Sequence, residues 1–234
     1  MCRITRKERL NSTSYDFTVH APKIAREASA GQFVHILVDG FTLRRPISIC
    51  EIDGEMLRFV VDVVGEGTAE MVKREVGDEF DILGPLGKGF DISGDGKALV
   101  IGGGIGTYPL VQLVKELQGG ITVALGFRNE ELVVMRDEFD CETHVVTDGF
   151  VTDYVREKID VSGYERIYAC GPKPMLAAVA KMAEGAGIWC EVSMEERMAC
   201  GIGACVGCVT MTIDGYKCVC KDGPVFRSDE ILWK

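Results

Sequence analysis

Five of the ten cysteines fall between positions 200 and 220, and their spacing is the strongest chemical signal in the chain. Cys200-x4-Cys205-x2-Cys208, followed by another cysteine near the end, is the plant-type spacing of [2Fe–2S] ligands. Such a loop must wrap a compact cluster and aim backbone N–H groups at its sulfides. Gly201, Gly203, Ala204 and Gly207 suit that close approach, which bulky side chains would block. The fourth ligand is Cys218 or Cys220, two residues apart and on one face if the segment is extended. A four-cysteine zinc site is the alternative, but zinc's short C-x2-C pairs match this run poorly, and packing alone explains it worse. Cys2, Cys50, Cys141, Cys170 and Cys190 are scattered. In a reducing compartment such cysteines do not form a disulfide framework.

Two further sets of residues suit nucleotide ligands. In Arg45-Pro46-Ile47-Ser48 an arginine can bind a pyrophosphate and a serine can hydrogen-bond a flavin ring, with Pro46 marking a strand edge or bulge. Alone, the tetrapeptide reads more commonly as a turn-edge proline beside a solvated arginine. It gains weight from Gly65-Glu66-Gly67-Thr68, where free N–H groups at a helix start favour a phosphate. Gly102-Gly103-Gly104-Ile105-Gly106, between a buried strand and a helix, reads as a phosphate-approach loop or as a tight strand–helix turn. Cys170-Gly171-Pro172 ends a later strand. A parallel sheet would bring both to its carboxyl edge, where ligands bind. Cys170 is the one catalytic candidate, although a lone cysteine there is more often a small buried hydrophobe.

The elements that must position these residues fall into three segments. Residues 1–92 read as an all-β barrel or sandwich, with short strands at Tyr15–His20, Gln32–Val38, Arg45–Ile52, Met56–Val63 and Glu79–Leu83 and one helix at Thr68–Glu75. Residues 93–190 alternate strands (Ala98–Ile101, Ile121–Phe127, His144–Thr147, Arg166–Cys170) with helices (one ending at Leu117, then Asp153–Lys158 and Met175–Glu184), the pattern of a Rossmann-like parallel sheet. Residues 191–234 follow a strand at Ile188–Ser193 and are short, Gly- and Cys-rich. A hairpin is expected there, Val209–Ile213 with Tyr216–Val219, and a metal staple, because so little apolar surface cannot fold alone. The fold class is thus α+β multidomain.

Composition excludes other classes. The 234 residues are 47% hydrophobic with a formal charge of −10, which argues against nucleic acid as partner. No apolar run approaches the roughly 20 residues of a membrane span. The basic start, Met1–Leu10, has no apolar stretch behind it, so it is not a signal peptide. A cytoplasmic location is the default expectation.

In chain order, these motifs resemble the ferredoxin–NADP reductase superfamily and, more closely, the electron-transfer subunits of NAD-dependent (class 1B) dihydroorotate dehydrogenases. The resemblance runs nearly the whole length, through residues 44–48, 65–68, Gly84-Pro85-Leu86-Gly87-Lys88-Gly89-Phe90, 102–106 and 170–176. Met194–Cys205 and Val219–Phe226 are specific to this subunit type. It implies an FAD-binding β-barrel, an NAD-binding α/β domain and a C-terminal [2Fe–2S] domain. It implies FAD contacts at Arg45, Pro46, Ile47, Ser48, Val60, Val61, Asp62, Gly67 and Thr68. NAD, as substrate, would lie against Gly102, Gly103, Gly104, Ile105, Gly106, Cys170, Gly171 and Pro172, with Cys170 near the nicotinamide. Cluster ligands would be Cys200, Cys205, Cys208 and Cys220, since the family's fourth ligand directly precedes an x-Asp-Gly-Pro-Val-Phe tail. The implied partner is an FMN-containing catalytic subunit that oxidises dihydroorotate in pyrimidine biosynthesis, as a heterotetramer of two of each. Its TIM barrel needs about 250 residues of its own. Relatives often carry a basic residue at the position of Asp62, and the loop from Cys208 to Cys220 is short for the family.

The rival redox reading is an FAD/[2Fe–2S] reductase subunit serving ferredoxin or another partner. The non-redox rival is a zinc-stapled nucleotide-binding module. Glu130 and Glu131 favour NAD by repelling a 2′-phosphate, against Arg128 nearby. His20, His35 and His144 are isolated and read as structural.

Overall fold

The N-terminal strands are short and carry β-branched and aromatic residues, several of them buried. In the computed structural model, which describes residues 1–233, they are β1 (Cys2–Arg9), β2 (Ser14–His20), β3 (Phe33–Leu37), β4 (Arg45–Ser48), β5 (Glu51–Asp53), β6 (Met56–Asp62) and β7 (Glu79–Leu86). They form one sheet in the order β4-β3-β7-β1-β2-β6-β5. The two edge strands are consecutive in sequence, so their junction closes the ring. Ile49 N–H bonds the Gln32 carbonyl at 3.0 Å and Cys50 N–H bonds the Arg58 carbonyl at 2.9 Å. One strand was expected over Arg45–Ile52; the break at the fully buried Ile49-Cys50 is the barrel corner. Ile4, Val34, Ile36 and Leu57 fill the interior around Phe17, Phe59 and Phe80, whose ring centroids lie 5.5–6.0 Å apart. Two short helices, α1 (Pro22–Glu27) and α2 (Glu66–Met71), interrupt the strands. The helix expected at Thr68–Glu75 therefore starts and ends earlier. Neither β1 nor α1 was anticipated.

The second sheet follows from fully buried apolar runs such as Leu99-Val100-Ile101. Its elements are β8 (Ala98–Gly103), α3 (Tyr108–Glu116), β9 (Ile121–Gly126), β10 (Glu142–Val146), α4 (Val151–Lys158), β11 (Arg166–Cys170), α5 (Lys173–Ala186) and β12 (Trp189–Ser193). The strands lie parallel in the order β10-β9-β8-β11-β12. The order reverses between β8 and β11, the switch point at which such sheets bind ligands.

The C-terminal segment holds a hairpin of β13 (Val209–Thr212) and β14 (Gly215–Cys218), then the helical turn α6 (Val219–Asp222) and β15 (Val225–Arg227). β15 pairs antiparallel with β12 as a sixth strand. The expected boundary at 190/191 thus falls inside β12. Cys208, Val219, Cys220 and Phe226 share a core with Leu99, Ile101 and Val192, and Phe33 of the barrel enters it as well.

Barrel and α/β sheet are latched by polar contacts. Gln112 accepts from Ile52 N–H at 2.8 Å, and its own N–H bonds the Cys50 carbonyl at 3.0 Å. Arg58 reaches Asp16 and Glu51 within the barrel and Glu138 across the interface, at 2.8–3.0 Å. Among the described residues no helix is long and apolar enough to cross a membrane.

Candidate functional site

The two loops expected to meet a nicotinamide nucleotide leave neighbouring strands at the switch point, with Gly102 opposite Cys170 in register. They pack on each other. A Cβ on Gly106 would lie 2.3 Å from the Cys170 carbonyl oxygen, and one on Gly171 3.1 Å from Gly103 Cα. Contact between the loops is therefore what forbids side chains at these glycines. Gly104, at φ +54°, borders open space. The Thr107 hydroxyl beside Gly102 is buried with no partner among the described residues, so the loop keeps an unanswered polar group. Burial pushes the Cys170 thiol up to about 12, against a hydrogen bond with Ser193. At neutral pH it is a thiol, suited to packing and hydrogen bonding. At the next strand ends Glu130 accepts from the Thr147 hydroxyl at 2.7 Å, which ties the loop after β9 to the end of β10. Arg128 and Glu131 are exposed beside it.

Arg45–Ser48 forms β4, with Pro46 opposite His35 of β3. The Arg45 guanidinium sits 4.8 Å over the Phe41 ring, donates to the Leu43 carbonyl, and covers Gly67 so closely that a Cβ there would meet Nε at 2.2 Å. The fold thus sets Arg45 beside the start of α2, where the first N–H groups of a helix lack intrahelical partners. The Thr68 hydroxyl shapes that turn. It accepts from Val64 and Gly65 N–H at 2.9 and 3.2 Å and donates to the Gly65 carbonyl at 3.0 Å. The cationic fork and the glycine-lined helix start fit a pyrophosphate.

Farther along β6 the side chains turn inward. Val61 joins the barrel core and Val60 the core shared with Val100 and Tyr108. Asp62 accepts from the Ser14 hydroxyl at 2.5 Å, and Ser14 accepts from the Tyr108 hydroxyl at 3.3 Å. This stretch can offer a ligand mainly backbone.

The four cysteines meet as two pairs. Cys200 Sγ accepts from Ile202 and Cys205 N–H at 3.5 and 3.4 Å, and the Cys205 thiol is also in reach. Those N–H groups bring Cys200 down to about 6. Cys208 and Cys220 form the second pair. Cys220 N–H donates to Cys208 Sγ at 3.4 Å and Gly203 N–H to Cys220 Sγ at 3.1 Å. Burial and then the Cys208 neighbour push the Cys220 thiol up to about 12. Cys218 ends β14 while Cys220 lies in α6, so the two do not share a face as an extended segment would require. Two thiol pairs, with the N–H groups of Ile202, Gly203 and Cys205 directed at their sulfurs, fit a cluster of two irons.

Of the histidines, His20 pairs with Glu55 at 3.0 Å and His144 meets the Tyr154 hydroxyl at 3.1 Å. His35 differs. It is wholly buried against Gly201 of the cysteine loop, and neither ring nitrogen has a partner. Burial, then Arg44, lowers its pKa and keeps it neutral. In the sequence it reads as an isolated structural histidine, and nothing local links it to residue 201.

Residues 195–232 match the iron-sulfur cluster binding domain of dihydroorotate dehydrogenase B. The electron transfer subunit of dihydroorotate dehydrogenase B (NAD(+)) from Geobacillus kaustophilus is 39% identical, over 94% of this chain and 93% of that protein. The same subunit from Clostridium perfringens is 40% identical over 87% of each chain. Among solved structures, that of an NADH-dependent reduced ferredoxin–NADP oxidoreductase superposes with a TM-score of 0.91 at 31% identity, covering 100% of this chain and 90% of that one.

Proposed function

Because this chain belongs to the family of electron transfer subunits of dihydroorotate dehydrogenase B (NAD(+)), we propose that it takes electrons from the FMN of a dihydroorotate-oxidising catalytic subunit and delivers them to NAD+, in pyrimidine biosynthesis. The observation that carries this reading is the pair of cysteine pairs, Cys200 with Cys205 in the loop and the buried Cys208 with Cys220 of α6, joined through a shared core to the sheets that bear the flavin and nicotinamide segments.

Arg45, Pro46, Ile47 and Ser48, with the backbone of Val60, Val61 and Asp62, hold FAD on the barrel, and Gly67 and Thr68 shape the turn under its phosphates. Gly102, Gly103, Gly104, Ile105, Gly106, Gly171 and Pro172 bind NAD at the switch point, where the tight packing of the two loops gives them one shape. Cys170 stays a neutral thiol there, filling space and orienting the nicotinamide through a hydrogen bond. Cys200 and Cys205 hold one iron, Cys208 and Cys220 the other. When bound, FAD exchanges hydride with the nicotinamide and the [2Fe–2S] cluster carries single electrons, which joins a two-electron carrier to a one-electron path. The N–H groups of Ile202, Gly203 and Cys205 stabilise charge on the ligating sulfurs. The latch through Arg58 and Gln112 holds barrel and sheet in one alignment.

Residues 93–190 serve NAD, residues 1–92 FAD and residues 191–234 the cluster and the partner. The assembly is a cytoplasmic heterotetramer of two of each subunit. Co-expression with the FMN subunit tests the proposal: the pair should reduce NAD+ with dihydroorotate, whereas this chain alone should pass electrons from NADH to dyes only. Dihydroorotate oxidation by the isolated chain, or a reconstituted pair that never reduces NAD+, would overturn it. The likeness to the reduced ferredoxin–NADP oxidoreductase supports a second reading, a reductase subunit with a different redox partner; co-purification with that partner instead of an FMN protein would favour it.

A further inference from the structure

His35 has no task in the function above, and its surroundings suggest one. The residue is 0% exposed, yet neither ring nitrogen is hydrogen-bonded. A neutral imidazole carries one donor and one acceptor, and burying both unanswered costs stability that an apolar residue would not cost. Phe33, on the same strand and edge-on to the imidazole with centroids 6.3 Å apart, does reach the common core as an apolar residue. His35 stands between the two cofactor segments. Its strand pairs Pro46 of β4 on one side and Leu83 of β7 on the other. Its ring abuts Gly201, where a Cβ would lie 2.4 Å from Nδ1 and 2.9 Å from Cε1. Gly201 also has φ +72°, so both backbone and contact exclude a side chain. The Cys200 backbone is close enough to favour a proton on the ring without completing hydrogen-bond geometry.

We propose that His35 is the positioning residue between the two cofactor segments: its ring N–H hydrogen-bonds the Cys200–Gly201 turn and holds that loop against the flavin-bearing strand. This rests on Cys200 being a cluster ligand. Hydrogen bonds around the sulfurs are one of the levers that set a cluster's potential and retention.

The test compares His35→Leu and His35→Gln with the wild type, in cluster-loaded and cluster-free protein. His35→Leu should keep FAD and leave the cluster-free chain folded, with a melting temperature close to wild type. In the loaded chain it should shift the electron paramagnetic resonance spectrum of the reduced cluster and lower its midpoint potential. Iron should pass to a chelator about ten-fold faster, the equivalent of one hydrogen bond. His35→Gln, which retains an N–H, should return the spectrum and the iron-release rate toward wild type. Wild-type spectrum, potential and iron release in His35→Leu would overturn the proposal. So would equal damage in both variants, or equal destabilisation of loaded and cluster-free chains, because these mark packing alone. Wild-type protein reconstituted without iron or sulfide would instead sink the cluster assignment, and this inference with it.

Discussion

Replacing Gly67 by Ala should weaken flavin binding without weakening the fold, and it should do so only through Arg45. A Cβ at Gly67 would lie 2.2 Å from Arg45 Nε, 2.4 Å from Nη2 and 2.6 Å from Cζ. The guanidinium must move by about 1 Å to clear it, enough to spoil hydrogen-bond geometry at a phosphate. It can move cheaply, since it is the far end of a flexible, partly exposed side chain. Gly67 is helical, so alanine there adds up to about 1 kcal/mol of helix propensity. Arg45→Ala sets the ceiling of the effect. A hydrogen bond to a charged group is worth roughly 1.5–3 kcal/mol, and partial exposure selects the lower half of that range. At 1.4 kcal/mol per decade, FAD Kd should rise about ten- to thirty-fold in Arg45→Ala. Gly67→Ala should reach part of that. In Arg45→Ala/Gly67→Ala the second substitution should add nothing further, because the side chain it displaces is gone. Titrating flavin-free protein with FAD and following flavin fluorescence gives all four constants, and urea unfolding checks the fold. A Gly67→Ala loss that persists undiminished without Arg45 would refute the reasoning, as would an Arg45→Ala Kd within two-fold of wild type.

Cys218→Ser should retain full iron and acid-labile sulfide, and Cys220→Ser should lose them; elemental analysis giving the reverse would reassign the fourth ligand. Arg58→Leu strips one of two arginine partners from Asp16, whose fully buried side chain keeps Arg6, and should cost roughly 1–3 kcal/mol in urea unfolding at neutral pH. Its pH dependence has a definite sign. Burial opposes the charge on Glu51, but Lys115 and Arg58 outweigh it and set its pKa below 4.5, while the Arg58 hydrogen bond does the same for Glu138. Stability from these carboxylates is therefore present above the ordinary glutamate range and lost as pH falls through the lowered values, so the gap between Arg58→Leu and wild type should close in acid. A gap unchanged down to acid unfolding would count against that account. Steady-state dye reduction should show higher kcat/KM for NADH than for NADPH, through Glu130 and Glu131; the opposite order would remove those carboxylates from cofactor selection.

The cysteine run was legible because ligand spacing is local: four residues, then two, in one loop. The same holds for the Gly-rich turn after a buried strand and for the alternation of strands and helices beyond residue 97, where short-range periodicity and turn chemistry determine the element. Local signals also named Arg45–Ser48 and Gly65–Thr68 as separate candidates. The strand expected over Arg45–Ile52 failed because its composition is strand-like throughout, while closing the barrel demands a corner at Ile49-Cys50, which pairing partners at Gln32 and Arg58 impose.

What sequence by itself determined, then, was chemistry carried by neighbours in the chain: which thiols form a ligand run, which loops suit phosphates, and which family motifs occur in order. Tertiary structure alone decided what depends on residues far apart. It folded Arg45 over Gly67, turned Cys220 toward Cys208, and made β15 a strand of the α/β sheet instead of part of a separate lobe. It also buried His35 against Gly201. Spacing along a chain fixes contacts within a turn or a strand. Which face meets which loop is settled only when the whole core closes, because burial and hydrogen-bond satisfaction are then decided by every element at once.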